Sequence, residues 1–200
     1  MFKTILFPVS SNCKIAKING DAMNDLASKI DGLIRTVPDF PKPGIQFKDI
    51  TPVLQNGPVF NAIIRALAEK VKSAGTTYIA GIESRGFIFG SALAHELGCG
   101  FLLLRKPGKL PWKTLRATYQ LEYGSDAIEM HEDAVKSGDQ VVIIDDLLAT
   151  GGTATAAACL LRDAGAEVLD AMFVVELEFL NGRDKLRNAG FPRIDSLLKY

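Results

Sequence analysis

Short apolar runs alternate with segments of helical periodicity along most of the chain. The runs Tyr78–Ile82, Gly100–Leu104, Gln140–Ile144 and Val168–Val175 lie between turn-forming or charged residues, which is typical of buried strands. Between the first two runs, apolar residues in Phe87–Leu97 recur every three or four positions and predict a helix. Apolar strands that alternate with helices indicate a mainly parallel central sheet with helices on both faces.

Three further helices are predicted by the same spacing of apolar residues: Asp25–Val37, Pro58–Ala74 and Thr153–Ala164. A proline or a glycine directly follows each of them, as expected where a helix ends. The stretch Lys106–Val135 breaks the rhythm, because prolines and glycines interrupt it and polar and apolar residues alternate within it. It predicts a hairpin or flexible flap over the site rather than another strand–helix unit.

Composition narrows the class of protein. The 200 residues, 48% of them hydrophobic, are enough for one α/β domain and too few for two comfortable ones. Lys plus Arg and Asp plus Glu both number 23, which argues against a nucleic-acid partner. No apolar stretch approaches the roughly 18 residues of a membrane-spanning helix, so no membrane partner is expected. The odd set Cys13, Cys99 and Cys159 lacks CxxC spacing and favours unpaired thiols in a reducing cytoplasm.

The first residues do not fit a secretory signal. Their apolar run Ile5–Val9 is shorter than the roughly 7–15 residues that such a signal needs, and it contains Pro8. We therefore expect residues 1–22 to be an extension outside the catalytic domain. Met23 then begins a single domain of residues 23–200.

The strongest chemical signal is the segment Val141–Thr153. An apolar strand leads to the adjacent carboxylates Asp145 and Asp146, and the sequence Thr-Gly-Gly-Thr then opens a helix. Backbone N–H groups and the positive dipole at a helix N-terminus favour a phosphate, and glycines let the backbone approach it closely. Carboxylates accept hydrogen bonds from sugar hydroxyls, so the combination predicts a site for a ribose phosphate. The alternative is a capped strand–helix turn with solvated aspartates.

These thirteen residues resemble the phosphoribosyl-pyrophosphate signature of the type I phosphoribosyltransferases. Three further blocks resemble the adenine branch of that family: Pro38–Gly44 with Phe47–Pro52, Glu83–Phe87, and Arg105–Pro111 with Leu121–Gly124. The resemblance runs from about residue 24 to the C-terminus. It implies a type I phosphoribosyltransferase-like fold that acts as a homodimer. It also implies transfer of the 5-phosphoribosyl group from 5-phosphoribosyl 1-pyrophosphate to adenine, giving AMP and pyrophosphate in purine salvage.

The resemblance gives each polar cluster a role. The acidic pair would bind the ribose hydroxyls. The 5′-phosphate would lie on Ala149, Thr150, Gly151, Gly152 and Thr153. The pyrophosphate would contact Arg85, Arg105, Lys106 and Lys109, from this or a neighbouring subunit. A guanidinium such as that of Arg85 is a forked donor suited to a diphosphate. A surface ion pair for Arg85, and a solvated charge cluster for the other three, are the alternatives.

The adenine site is expected at Gln46, Phe47 and Lys48. Phe47 could stack on the purine, although a place in the core is commoner, and the backbone of its two neighbours would pair with the edge of the base. Glu122 is implied as the catalytic, proton-handling residue. Relatives that act on hypoxanthine and guanine carry an aspartate where Ala149 stands here, so that role needs another carboxylate. Otherwise Glu122 is an exposed, solubilising residue.

The remaining expectations concern the metal, the backbone and rival functions. His95 and His131 lack ligand-like spacing, so no metal is assigned to protein ligands, and Mg²⁺ would be carried by the diphosphate substrate. The resemblance also implies a cis peptide bond between Glu83 and Ser84. A phosphoribosyltransferase for another purine, or a phosphoribosyl-pyrophosphate-sensing regulator, would keep the sugar site and remain alternatives.

Overall fold

The structure is a computed structural model and describes residues 20–71, 75–121 and 124–200. Its elements, in chain order, are α1 (Gly20–Leu33), β1 (Arg35–Pro38), β2 (Gln46–Asp49), α2 (Thr51–Gln55), α3 (Gly57–Lys70), β3 (Tyr78–Ile82), α4 (Arg85–Leu97), β4 (Gly100–Leu104), β5 (Thr114–Leu121), β6 (Gly124–His131), β7 (Gln140–Leu148), α5 (Gly152–Asp163), β8 (Glu167–Glu176), α6 (Gly182–Asn188) and β9 (Arg193–Lys199). Within these ranges, no helix combines the length and the apolar character that crossing a bilayer requires.

Five strands form the central sheet in the order β4-β3-β7-β8-β9. Every neighbouring pair in it is parallel, as the apolar runs predicted. Parallel strands need crossover connections, and the helices that supply them cover both faces. The carboxyl ends of β3 and β7 therefore lie side by side, which is where ligands bind in sheets of this kind.

The core has one layer on each face of the sheet. Along β7, Val141 and Ile143 pack with the α5 side, whereas Val142 and Ile144 pack with the α3 and α4 side. All four side chains are fully buried. A strand buried on both faces must be apolar at consecutive positions, so the pattern of this segment follows from its central place.

The structure also corrects several predicted boundaries. The helix predicted over Asp25–Val37 ends at Leu33, and the next residues form β1, which pairs with β2 as an antiparallel ribbon. The β-branched pair Thr36-Val37 before Pro38 favours extended backbone, which explains the change. The helix α6 and the strand β9 were missed. The predicted hairpin in Lys106–Val135 is confirmed as the antiparallel pair β5–β6.

Candidate active site

The acidic pair lies within β7 and not after it. The strand had been predicted to end at Ile144, but it continues to Leu148 because β8 pairs with it as far as Glu176. Asp146 is only 4% exposed, and its Oδ2 lies 3.0 Å from Nε of Arg85. Asp145 is half-buried, and its Oδ1 accepts a hydrogen bond of 2.9 Å from the Asp146 backbone N–H. The structure thus brings Arg85 and both carboxylates together.

Burial disfavours the charged forms of this pair. It raises the pKa of the Asp145 carboxyl well above its usual range, and the charge of Asp146 acts in the same direction. Burial also raises the pKa of Asp146, although the Arg85 guanidinium opposes the rise. A ligand that donates hydrogen bonds to both carboxylates, as neighbouring sugar hydroxyls do, would favour the ionised forms.

The predicted phosphate loop follows β7 directly and ends in α5. Gly151 has a φ of +74°, which disfavours other residues. A Cβ there would also lie 2.7 Å from the carbonyl oxygen of Gly182, the first residue of α6. The loop is therefore packed backbone against backbone on α6. Its residues line a cavity together with Asp145 and Phe173.

The β5–β6 hairpin is joined to this loop through Tyr119. Thr153 Oγ1 donates a hydrogen bond of 3.1 Å to the Tyr119 hydroxyl. Lys106 Nζ donates to the same hydroxyl at 3.0 Å and forms an ion pair with Asp126. The hairpin thus contacts the phosphate loop, which agrees with the predicted position over the site.

The predicted diphosphate loop leads from β3 into α4. Its Glu83–Ser84 peptide bond is cis, as the resemblance implied. Gly86 brings α4 against the middle of the central strand β7, since a Cβ there would lie only 2.8 Å from the Ile144 carbonyl oxygen. The Arg85 guanidinium carbon lies 5.4 Å from the centre of the Phe47 ring. The arginine therefore stands between the acidic pair and the predicted adenine segment.

A carboxylate joins the basic loop to the diphosphate loop. Arg105 donates to both oxygens of Glu83, at 3.2 and 3.0 Å, and a third donor reaches the Lys109 carbonyl at 2.9 Å. The Lys106 backbone N–H donates to Glu83 at 2.9 Å. The Arg105 hydrogen bonds hold the pKa of the Glu83 carboxyl below its usual value. Arg105 and Lys106 are thus largely engaged within the protein, whereas the Lys109 side chain is exposed.

The predicted adenine residues all lie in β2. Phe47 is half-buried and meets Phe40 edge to face, with ring centres 5.1 Å apart. Gln46 is exposed, and Lys48 directs its ammonium to Thr36 Oγ1 at 3.1 Å and over the Tyr200 ring. The Lys48 side chain therefore contacts Thr36 and Tyr200 and not Arg85. The ring of Phe47 is the side chain of this segment that faces the site.

Comparison with known proteins decides the family. The model of the phosphoribosyl transferase domain matches residues 49–190. An adenine phosphoribosyltransferase from Erythrobacter litoralis is 55% identical over 172 residues, which cover 86% of this chain and 96% of that protein. This chain belongs to the adenine phosphoribosyltransferase family.

Solved structures of adenine phosphoribosyltransferases share the fold over most of the chain. The enzyme from Thermoanaerobacter pseudethanolicus is 51% identical with a TM-score of 0.83, and the match covers 87% of this chain and 99% of that one. The enzyme from Saccharomyces cerevisiae, crystallised with an imino-altritol bisphosphate and adenine, is 42% identical with a TM-score of 0.80. That match also covers 87% of this chain and 99% of the other.

One predicted site residue lies outside the described part of the chain, and two residues that contact the phosphate loop were not predicted. Glu122 lies outside the described residues, between β5 and β6, so its catalytic role stays a prediction. Gly182 and Tyr119 contact the phosphate loop, but neither had been given a role. The dipeptide Asn181-Gly182 is a turn signal that could have drawn attention to α6, although nothing local indicates what α6 packs against.

Proposed function

We infer that this chain transfers the 5-phosphoribosyl group from 5-phosphoribosyl 1-pyrophosphate to adenine, giving AMP and pyrophosphate in purine salvage. The observation that carries this inference is the contact of Arg85 with Asp146, three residues before the loop Ala149–Thr153 begins. That contact places three groups together: a guanidinium that can donate hydrogen bonds to a diphosphate, two carboxylates that can accept them from sugar hydroxyls, and a phosphate loop. Membership of the adenine phosphoribosyltransferase family supports adenine as the acceptor.

The sugar half of the substrate is proposed to lie at the end of β7. Asp145 and Asp146 would accept hydrogen bonds from the ribose hydroxyls, which replaces hydration lost by burial. The 5′-phosphate would rest on the loop from Ala149 to Thr153, against the N-terminus of α5. Thr150 is exposed, so its hydroxyl is the accessible one, whereas the Thr153 hydroxyl donates to Tyr119.

The leaving diphosphate is proposed to bind between the two cationic segments. As the bond to the anomeric carbon breaks, negative charge grows on the diphosphate, and preorganised cations stabilise it. Arg85 would contact it directly, helped by Lys109 and Lys106. Because Arg105 is held by Glu83, we propose that it contributes mainly by fixing the basic loop, with its remaining N–H donors turned to the ligand.

Adenine is proposed to stack on Phe47, with the backbone of Gln46 and Lys48 pairing with its edge. Adenine N9 would attack the anomeric carbon while Glu122 handles a proton on the base. Ala149 offers no carboxylate for that task, which supports a glutamate from the hairpin. Closing the hairpin over the site would exclude water from the activated sugar.

Magnesium is proposed to reach the site with the diphosphate. Mg²⁺ takes oxygen ligands, keeps several waters and is commonly bound through one or two carboxylates together with substrate phosphates. The carboxylates of Asp145 and Asp146 beside the phosphate loop have that donor chemistry. When bound, the ion would neutralise charge on the leaving group. We assign it no set of protein ligands.

A homodimer in the cytoplasm is proposed as the working form. Several large apolar side chains of α4, β4, β5 and the segment before β5 are exposed, which is typical of surfaces that bind a protein partner. They are Ile88 (40% exposed), Leu103 (41%), Trp112 (62%) and Leu115 (36%). The cytoplasmic location rests on the cysteine pattern and remains a prediction.

Residues 23–200 are proposed as the catalytic domain, and residues 1–22 as dispensable. The helix α1 already begins at Gly20, but its two buried residues, Leu26 and Ile30, lie after Met23. A chain that starts at Met23 should therefore keep full activity in a steady-state assay. A folded but inactive truncated chain would show that the extension is functional.

The acceptor is tested with a panel of adenine, hypoxanthine and guanine, each supplied with 5-phosphoribosyl 1-pyrophosphate and Mg²⁺. We expect AMP and pyrophosphate from adenine and little product from the other two bases. Comparable turnover of hypoxanthine or guanine would assign the enzyme to another purine.

A further inference from the structure

We propose that Lys185 is an additional ligand of the 5′-phosphate, supplied by α6 and not by the phosphate loop itself. The inference rests on the proposed function, because it concerns the same sugar-phosphate site. It adds a full positive charge to a loop that otherwise offers only backbone N–H groups and hydroxyls.

The position of the Lys185 ammonium supports this role. A Cβ built at Gly152, the first residue of α5, would lie 3.5 Å from Lys185 Nζ. The same point is 3.4 Å from Cδ2 of Tyr119. The side of Gly152 on which a Cβ would stand is therefore covered by an ammonium and an aromatic ring. A phosphate at this helix N-terminus would lie within reach of the flexible lysine side chain.

The lysine is also available for a ligand. Two other cations of α6 are engaged: Arg183 with Glu176, and Arg187 with Asp184. Lys185 is exposed, and within the described part of the chain its side chain makes no hydrogen bond or ion pair. An ammonium held near a phosphate loop without a carboxylate partner can bind an anion without first losing an existing contact.

The fold fixes α6, and with it Lys185, against the loop. A Cβ at Gly182 would overlap the Ala149 carbonyl oxygen, so the two backbones are in direct contact. Lys185 comes three residues later, close to one helical turn further on. Arg183 secures the helix from the other side, since its Nε donates to Glu176 at 2.8 Å and its Nη1 to the Ile194 carbonyl at 2.7 Å.

The charges of the site explain why a cation is needed there. The 5′-phosphate is a dianion near neutral pH, and it would lie beside the carboxylates of Asp145 and Asp146. The N-terminus of α5 supplies only about half a positive charge. None of the five loop residues is basic. The ammonium of Lys185 would balance part of the remaining negative charge of the phosphate. The contact should weaken as salt screens it.

The test compares AMP with adenine, which lacks the phosphate, by isothermal titration. Lys185→Gln should weaken AMP binding about 10-fold, the usual scale for one charge-assisted hydrogen bond. Adenine binding should be unchanged. The KM for 5-phosphoribosyl 1-pyrophosphate should rise with little change in kcat. Lys185→Arg should keep most of the AMP affinity. Arg187→Gln, which removes one positive charge elsewhere on α6, is the matched control and should bind AMP normally.

Equal AMP affinity in the wild type and Lys185→Gln would overturn the inference. A similar loss in Arg187→Gln would also overturn it, since the effect would then come from the general charge of α6. The proposed function is judged separately, by whether the wild-type enzyme makes AMP from adenine. A wild type that binds AMP but makes none would refute that function. The comparison of AMP affinity between the wild type and Lys185→Gln could still be interpreted.

Discussion

The backbone contact between α6 and the phosphate loop predicts that Gly182→Ala will impair sugar-phosphate binding without a change at any ligand-binding side chain. The added methyl group would overlap the Ala149 carbonyl oxygen. It would also lie 3.0 Å from the Gly151 nitrogen and 3.0 Å from Cδ1 of Leu148. Two of these three atoms belong to the backbone of the loop, so a change of side-chain rotamer cannot relieve the overlap.

The size of the effect follows from the required displacement. Because non-bonded atoms pack at about 3.5–4.0 Å and the built Cβ overlaps the Ala149 oxygen, the loop or the helix must move by at least about 1 Å. A misplacement of that size can cost about 100-fold in rate, or about 2.7 kcal/mol of transition-state stabilisation. Overpacking of this kind typically costs about 1–3 kcal/mol of folding stability, which a folded domain can tolerate.

The assay is the kcat/KM for 5-phosphoribosyl 1-pyrophosphate at saturating adenine, together with AMP affinity and thermal unfolding. Gly57→Ala is a matched control, because Gly57 is also the first residue of a helix after an asparagine cap. A Cβ at Gly57 would meet nothing within 4 Å. If Gly182→Ala were as active as Gly57→Ala, the phosphate loop would not depend on α6, and the reasoning would be refuted.

Three further predictions concern the loop, the acidic pair and the hairpin. Gly151→Val should abolish AMP binding in titrations while circular dichroism stays native, because the strain at a φ of +74° and the clash with the Gly182 carbonyl oxygen are confined to the loop and the start of α6. Asp145→Asn should raise the KM for 5-phosphoribosyl 1-pyrophosphate about 10- to 100-fold. The pKa of Asp145 is higher in the folded protein than in the unfolded chain. The ligand-free protein therefore loses stability as the pH rises from the unfolded-state pKa to the folded-state pKa. Thermal unfolding across pH should therefore show a smaller loss in Asp145→Asn, and an unchanged profile would contradict this. Glu122→Gln should lower kcat about 10²–10⁴-fold in steady-state assays with little change in sugar-diphosphate affinity, and an unchanged kcat would remove this residue from the mechanism.

Sequence alone could predict the parts of the site that are contiguous. The phosphate loop combines a strand, an acidic pair, two glycines and a helix start within thirteen residues, so its local pattern is sufficient. The extent of β7 could not be predicted in the same way. Carboxylates at consecutive positions look like a strand end, and only the partner strand β8 reveals that pairing continues to Leu148.

The sequence could not predict which basic side chains form contacts within the protein. Arg105, Lys106 and Lys109 look alike as cations on a loop rich in proline and glycine. The Arg105 side chain is engaged by Glu83, 22 residues earlier, which becomes a neighbour only because β3 and β4 pair in parallel. The Lys106 side chain is engaged by Tyr119 and Asp126 of the hairpin. Likewise, Lys185 gains its place from the packing of α6 on a distant loop, and no periodicity in the chain indicates that contact.

The bond between Glu83 and Arg105 has an evolutionary consequence. One carboxylate binds the guanidinium with two hydrogen bonds and the next backbone N–H with a third. Neither position can drift alone, since a lone change would leave a partly buried charge without its counterion. Across related sequences the two positions should change together or not at all. A protein engineer who wishes to alter the leaving group would have to redesign the diphosphate loop and the basic loop together.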